Sequence, residues 1–271
     1  LTVNTKALTV TAVSQSTTYG TALLLGTNNT GATRYTVTGL VNSDAVTAVD
    51  LQYSGNGTVL ATTAANTYTN GIVASNATGS GLSNYIISYS PADLVVNAKA
   101  LTITANADSK TYGATKTYGA GSTAFTSSGL ENNETIGSVR VTDTNSGGLA
   151  TADAGGTYAL TPSAATGGTF TAGNYSITYT PGDLSIAKAV LTVTAVSDGK
   201  FITQTDAIGS ASNCGSGCTG GYAGVAYSGF MNSDTALNGA ISGQATVTRT
   251  NLGIDSIGTH VDVLVPSGLT S

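Results

Sequence analysis

Tryptophan is missing from this chain, histidine and methionine occur once each, and cysteine occurs twice. Charged residues make up 8% and aromatic residues 6% of the sequence, where an ordinary soluble domain is about 25% charged. With so few large side chains the composition argues against a large enzyme around one deep core, although a hydrophobic share of 40% still permits thin domains that bury small β-branched residues. Cations are scarce and the formal net charge is −5. No basic surface is available to neutralise phosphates, so nucleic acid is excluded as a partner. No apolar run is long enough to span a bilayer, so no direct membrane insertion is expected. The opening Leu1-Thr2-Val3-Asn4-Thr5-Lys6 lacks the charged and apolar regions of a signal peptide, and the chain reads as an internal, monomeric fragment of something longer.

What the sequence does contain is repetition. Leu8-Thr9-Val10-Thr11-Ala12 returns as Leu101-Thr102-Ile103-Thr104-Ala105 and again as Leu191-Thr192-Val193-Thr194-Ala195. The landmarks between them keep their order. Tyr19-Gly20 matches Tyr112-Gly113, and Gly39-Leu40 with Asn42-Ser43-Asp44 matches Gly129-Leu130 with Asn132-Asn133-Glu134. In the third copy the corresponding residues are Gly229-Phe230 and Asn232-Ser233-Asp234. Asn84-Tyr85-Ile86-Ile87-Ser88-Tyr89 and Pro91-Ala92-Asp93-Leu94 match Asn174-Tyr175-Ser176-Ile177-Thr178-Tyr179 and Pro181-Gly182-Asp183-Leu184. Self-similarity at a fixed period is the signature of a repeat architecture. We therefore divide the chain into residues 1–6 as the last strand of a preceding repeat, 7–98 as repeat 1, 99–188 as repeat 2 and 189–271 as repeat 3. The third copy ends before its Asn-Tyr strand and carries an insertion at about 208–221.

Within these segments the apolar period is two. Leu101, Ile103 and Ala105 point one way and Thr102 and Thr104 the other, which is the pattern of half-buried strands. Glycine, asparagine, aspartate and proline punctuate at short intervals. The expected fold is all-β, a grasp-like sheet or a sandwich, repeated in tandem as an elongated rod. One short helical turn fits Asn42 to Val49 and its counterpart Asn132 to Val139, where asparagine or serine could cap the backbone. The linkers Asn97-Ala98-Lys99-Ala100 and Ala187-Lys188-Ala189-Val190 contain no glycine or proline, so adjacent repeats should be stiffly coupled.

This order of motifs resembles the MBG-type repeats, and the related YDG-type repeats, of large bacterial filamentous-haemagglutinin-like adhesins. The resemblance spans nearly the whole chain and implies a secreted, outer-membrane-tethered setting, in which the repeats form a stalk below an exported β-helical head. Host-cell, matrix or biofilm ligands would then be partners of the parent protein. The resemblance brings no catalytic residue, and no cofactor is expected. The proline that usually follows Tyr-Gly is missing after Gly20 and Gly113, and the third copy has Phe201 near the Tyr-Gly position.

Candidate chemistry is sparse. Cys214 and Cys218 flank Gly215-Ser216-Gly217, a spacing and flexibility that suit a local disulfide in an oxidising compartment. A zinc site would need more histidine than one, and a redox pair would need Cys-x-x-Cys. His260 aligns with the strand residue Tyr158, and no Gly-x-Ser-x-Gly or other nucleophile motif accompanies it. Asn42 with Asp44, Asn132 with Glu134 and Asn232 with Asp234 raise the question of a calcium site in each repeat. One acid per loop is a poor calcium donor set, and a turn is the favoured reading. Tyrosine is the main aromatic, thirteen against four phenylalanines, and its recurrence at repeat positions reads as core. A stalk segment with no enzymatic activity is the expected function. The alternative is an adhesive module in which repeat 3 binds a glycan or protein.

Overall fold

A computed structural model describes residues 1–197, 209–210, 224–236, 241–250, 257–261 and 264–270. It is all-β. Repeat 1 contains β1 (Lys6–Ala12), β2 (Gln15–Thr18), β3 (Gly26–Asn29), β4 (Tyr35–Thr38), β5 (Ala45–Tyr53), β6 (Asn66–Ser80), β7 (Tyr85–Ser90) and β8 (Ala92–Asn97). Repeat 2 contains β9 (Lys99–Ala105), β10 (Asp108–Thr111), β11 (Phe125–Ser128), β12 (Ile136–Asp143), β13 (Tyr158–Gly168), β14 (Tyr175–Thr180) and β15 (Gly182–Ala187). Repeat 3 contains β16 (Thr192–Ala195), β17 (Gly209–Ser210), β18 (Val225–Ser228), β19 (Ser242–Arg249) and β20 (Leu264–Thr270). Among the described residues no helix is long and apolar enough to cross a membrane.

Repeat 1 is built from two sheets, ordered β4-β1-β7 and β2-β8-β6-β5-β3. Each contains one parallel pair among antiparallel ones: β1 with β7 and β2 with β8. The alternation seen in the sequence decides which side chains go inside. Leu8, Val10 and Ala12 of β1, Val49 and Leu51 of β5, Ile72 of β6, and Leu94 and Val96 of β8 are all buried. Between them the threonines of β1 point outwards, and Thr9 Oγ1 lies 3.2 Å from Ser88 Oγ on the neighbouring strand. The core is thus made of aliphatic residues of modest size, as the shortage of aromatics requires.

The chain divides into two compact units that do not coincide with the repeats. Leu1–Asn106, Tyr118–Thr142 and Leu160–Gly182 form the first, and Ala107–Thr117, Asp143–Ala159 and Asp183–Ser271 the second. Inside the first unit, repeat 2 builds the sheet β11-β9-β14, with β9 and β14 parallel in the same register as β1 and β7. Leu8 faces Ile87 and Leu101 faces Ile177. Inside the second unit, β10 runs parallel to β15 as β2 does to β8, β16 pairs with β18, and β19 lies between β17 and β20.

Two expectations change. The stretch from Asn42 to Val49 is not helical: Asn42 and Ser43 both have positive φ, at 55° and 60°, and the chain then enters β5, paired with β6. Two successive left-handed residues reverse the backbone, where a helix needs successive right-handed ones. Asn132 and Asn133 do the same ahead of β12. Short 3-10 turns do occur, at Leu82–Asn84 and Ala172–Asn174, just before β7 and β14. His260, expected on a strand, is exposed in irregular chain before β20. The β19–β20 ladder begins with Arg249 opposite Leu264, so His260 lies ahead of any ladder position given by that pair.

Candidate functional site: a tyrosine and carboxylate joint between repeats

Each Asn-x-acid motif folds into the same tight turn. Asp44 N donates to Val41 O at 3.0 Å, Glu134 N to Glu131 O at 2.9 Å and Asp234 N to Met231 O at 2.7 Å. Both central residues are left-handed in every copy, with φ of 55° and 60°, 53° and 57°, and 52° and 68°. This is the type I′ arrangement, which asparagine tolerates better than most residues. It places the acid at the fourth position, where the chain turns back into a strand.

The tyrosine that opens β7 or β14 closes that turn from within its own repeat. Tyr85 Oη accepts from Val41 N at 2.9 Å and donates to Asp44 Oδ2 at 2.8 Å. Tyr175 Oη accepts from Glu131 N at 3.0 Å and donates to Glu134 Oε2. The other carboxylate oxygen of Glu134 faces the previous repeat: Tyr19 Oη donates to Glu134 Oε1 at 2.6 Å. Tyr112 Oη donates to Asp234 Oδ2 at 2.8 Å in the same way. The tyrosine of the Tyr-Gly motif therefore bonds the acid of the following repeat. Charge-assisted bonds of this kind are shorter and stronger than neutral ones.

Glycine follows that tyrosine for a steric reason. At Gly20 φ is +89°, and a Cβ would lie 2.4 Å from Glu131 Cγ. At Gly113 φ is again +89°, with Met231 Cγ at 2.7 Å. The first residue of the next repeat's turn sits on the glycine in both cases. Backbone hydrogen bonds anchor each Tyr-Gly loop within its own repeat. Tyr19 N donates to Asn97 O, and Gly20 N to Ala61 O; Tyr112 N and Gly113 N donate to Ala187 O and Ala150 O. Asn132 Nδ2 also reaches Ala61 O at 3.3 Å, and Asn232 Nδ2 reaches Ala150 O at 2.8 Å.

The joint around Glu134 is the more elaborate. Tyr19 and Tyr175 meet edge to face with centroids 5.5 Å apart, and Phe170 packs on Tyr175 at 6.2 Å. Buried Asn174 accepts from Ala65 N at 2.9 Å through Oδ1, a further bond from repeat 2 back to repeat 1. Lys99 Nζ lies 2.6 Å from Glu131 Oε1 at the half-exposed rim. Burial, and then the bond to Glu134, push the hydroxyls of Tyr19 and Tyr175 above the ordinary tyrosine value. Both are neutral donors, held that way by a setting that disfavours the phenolate. Between these repeats only Ala98 separates β8 from β9.

The second glycine landmark serves the strand within each repeat. A Cβ on Gly39, Gly129 or Gly229 would lie 2.5, 2.4 or 2.4 Å from the carbonyl oxygen of Ala7, Ala100 or Val190, and all three have positive φ. No side chain fits there.

Chemically the arrangement holds things together. The acids accept from tyrosine hydroxyls and sit in turns, as the favoured reading of the Asn-x-acid motifs had it, and among the described residues no three of His, Cys, Asp and Glu gather where they could hold a metal ion. Among the described residues four tyrosines, Tyr19, Tyr35, Tyr85 and Tyr175, are buried, while Tyr89 is exposed. Tyrosine as core is thus true of part of the set. Cys214 and Cys218, proposed as a disulfide, lie outside the described residues, as does most of the 208–221 insertion. What reading the motifs one at a time missed is that Tyr-Gly of one repeat and Asn-x-acid of the next are two halves of one contact.

A chain of β repeats keyed to one another by a Tyr-Gly loop defines a class of modular repeat domain. The family model for the MBG domain (YGX type) matches residues 8–95 and 101–185, and the chain belongs to that family. No curated protein and no solved structure matches it.

Proposed function

We propose that this chain is a spacer: a non-enzymatic stalk segment of a secreted bacterial surface adhesin that holds a distal binding head away from the cell. The observation that carries the reading is the joint. Tyr19 to Glu134 and Tyr112 to Asp234 are the same bond made twice, each from a Tyr-Gly loop that backbone hydrogen bonds fix within its own repeat. A contact that recurs once per repeat orders each module against the next. The single residue Ala98 between β8 and β9 leaves little freedom for a hinge there. Membership in the MBG family and the resemblance to adhesin stalks support a secreted setting, and outer-membrane tethering through the parent protein belongs to the same proposal.

Small-angle X-ray scattering of the chain tests this. Strands rise about 3.3 Å per residue, and repeats laid end to end would each add on the order of 30–40 Å. A maximum dimension of about 90 Å or more, unchanged by calcium, is expected. A particle with the radius of gyration of one compact globule of this length, about 18–19 Å, would overturn the spacer reading.

A further inference from the structure

Two pairs of tyrosines meet edge to face in this chain. Tyr19 and Tyr175 are sealed in the joint, 3% and 6% exposed, with both hydroxyls given to Glu134. Tyr53 and Tyr68 are only half-buried, with ring centroids 5.4 Å apart and planes at 76°. Tyr53 ends β5, and Tyr68 lies in its partner strand β6. Each ring is held in place. The Tyr53 ring folds over its own turn, where a Cβ on Gly55 would come 2.7 Å from Cε1. Tyr68 Oη donates to Ala64 O at 2.9 Å. Burial, and then the phenol of Tyr68, raise the Tyr53 hydroxyl above the ordinary tyrosine value.

Repeat 2 fills these two positions differently. Tyr158 matches Tyr68, each seventeen residues before the tyrosine that opens β14 or β7. Asp143 matches Tyr53, each the ninth residue after its turn acid. The ring of Tyr158 packs on glycine, since a Cβ on Gly147 or Gly156 would lie 2.6 Å from it. Asp143 Oδ2 accepts from Gly148 N at 2.7 Å and so ties down the loop that leads to Tyr158. In repeat 1 the equivalent loop, Ser54–Thr67, runs between the two rings instead. That loop receives the next repeat. Ala61 O accepts from Asn132 Nδ2 as well as from Gly20 N, and Ala65 N donates to Asn174 Oδ1.

We propose that Tyr53 and Tyr68 form an oxidative cross-linking site, at which a peroxidase and hydrogen peroxide join the two rings as dityrosine and close the loop that holds repeat 2. Thirteen tyrosines, against two cysteines, one methionine and no tryptophan, make the phenol the chain's main oxidisable group. Each phenol gives up one electron and one proton, and one peroxide takes both pairs and leaves as two waters. The two phenoxyl radicals form a carbon–carbon bond between ring carbons ortho to the oxygens. The hydrogens on those carbons then move to the oxygens and restore both phenols, so the chain loses two hydrogen atoms in all. Holding the reacting groups together in advance is what favours this pair over separated tyrosines. A covalent closure constrains the unfolded chain as a disulfide does. The coupling is independent of the spacer role, because both rings lie within repeat 1.

The test treats the whole folded chain with a peroxidase and limiting hydrogen peroxide, then reads dityrosine fluorescence, chain size on a denaturing gel and peptide masses. The expected product is a single chain that fluoresces as dityrosine, with two hydrogen atoms lost from a cross-link mapped to Tyr53 and Tyr68. Tyr53→Phe and Tyr68→Phe each keep a ring in place and should each abolish that product, with circular dichroism reporting that the β content is retained. Tyr89→Phe, at an exposed tyrosine outside the pair, should leave it unchanged. The cross-linked chain should also melt at a higher temperature than the untreated one, a gain that Tyr53→Phe removes. Dityrosine that forms only between chains or at other tyrosines, that persists in Tyr53→Phe, or that does not form at all would overturn the site. A cross-link at Tyr53 and Tyr68 with no gain in melting temperature would overturn its part in closing the loop.

Discussion

The two joints use the same bond but differ in depth. Tyr19 is 3% exposed, while its counterpart Tyr112 is only half-buried. Both hydroxyls reach the next repeat's acid, at 2.6 and 2.8 Å, and both following glycines lie under the next turn. What differs is the third participant. Tyr175 packs its ring against Tyr19 and shares Glu134 with it, and no equivalent ring is described beside Tyr112. The connection differs too: Ala98 alone lies between β8 and β9, whereas Lys188, Ala189, Val190 and Leu191 separate β15 from β16, with Val190 82% exposed. The comparison teaches that the tyrosine and carboxylate pair recurs at both joints, and that the ring of Tyr175 on β14 is what covers Tyr19 in the first of them.

The most damaging way to break this comparison is to remove the shared ring. Tyr175→Ala should cost about 3–5 kcal/mol, the usual range for deleting a buried aromatic side chain. The readout is urea denaturation followed by tyrosine fluorescence, which no tryptophan obscures. Glu134→Ala should follow at about 2–3 kcal/mol, because it leaves two partly buried hydroxyls without their acceptor. Asp234→Ala, which is described with one tyrosine, should cost about half as much in the same assay. Equal losses at the two acids would show that Glu134 gains nothing from serving two tyrosines.

Gly20→Ala and Gly113→Ala should each cost about 1–3 kcal/mol through left-handed backbone strain, plus whatever the neighbour must yield. The neighbour at Gly113 is the flexible side chain of Met231 and that at Gly20 is Glu131, tied to Lys99. The larger loss is therefore expected at Gly20. Lys99→Ala should have the smallest effect, under about 1 kcal/mol, since a half-exposed ion pair is weak and screened by salt.

Alkali offers a test without mutation. The hydroxyls of Tyr19, Tyr85 and Tyr175 are raised above the ordinary value of 10.0, first by burial and then, at Tyr19 and Tyr175, by a bond to a carboxylate. The fold therefore favours their neutral form. The stability they contribute is fully present below pH 10, and is lost as pH rises past the unfolded value towards the folded one. Tyrosinate absorbance against pH should show a delayed fraction of tyrosines that ionises together with loss of β-sheet ellipticity. Ionisation of every tyrosine near pH 10 with the fold intact would contradict the buried joint.

Much of this was legible from the residues alone. Alternation placed Leu8, Val10, Leu101 and Ile103 inside and their threonine neighbours outside, because a strand's side-chain period is two whatever surrounds it. Period and landmark order marked the repeats, and the family comparison covers residues 8–95 and 101–185 of them. Asn-Ser-Asp and Asn-Asn-Glu signalled a turn, and its left-handed form follows from what asparagine tolerates. The helical alternative failed there because capping residues and turn residues are the same few amino acids, and only backbone geometry tells them apart.

Tertiary structure alone decided what these landmarks are for. Tyr19 and Glu134 are far apart in sequence, and no local rule pairs a tyrosine of one period with an acid of the next. That pairing depends on parallel neighbours, β1 with β7 and β9 with β14, whose register is set by burial of facing side chains rather than by any turn between them. Composition and periodicity act locally and can be read along the chain. The joint arises from which surfaces meet, and that is settled by the packing of strands distant in sequence.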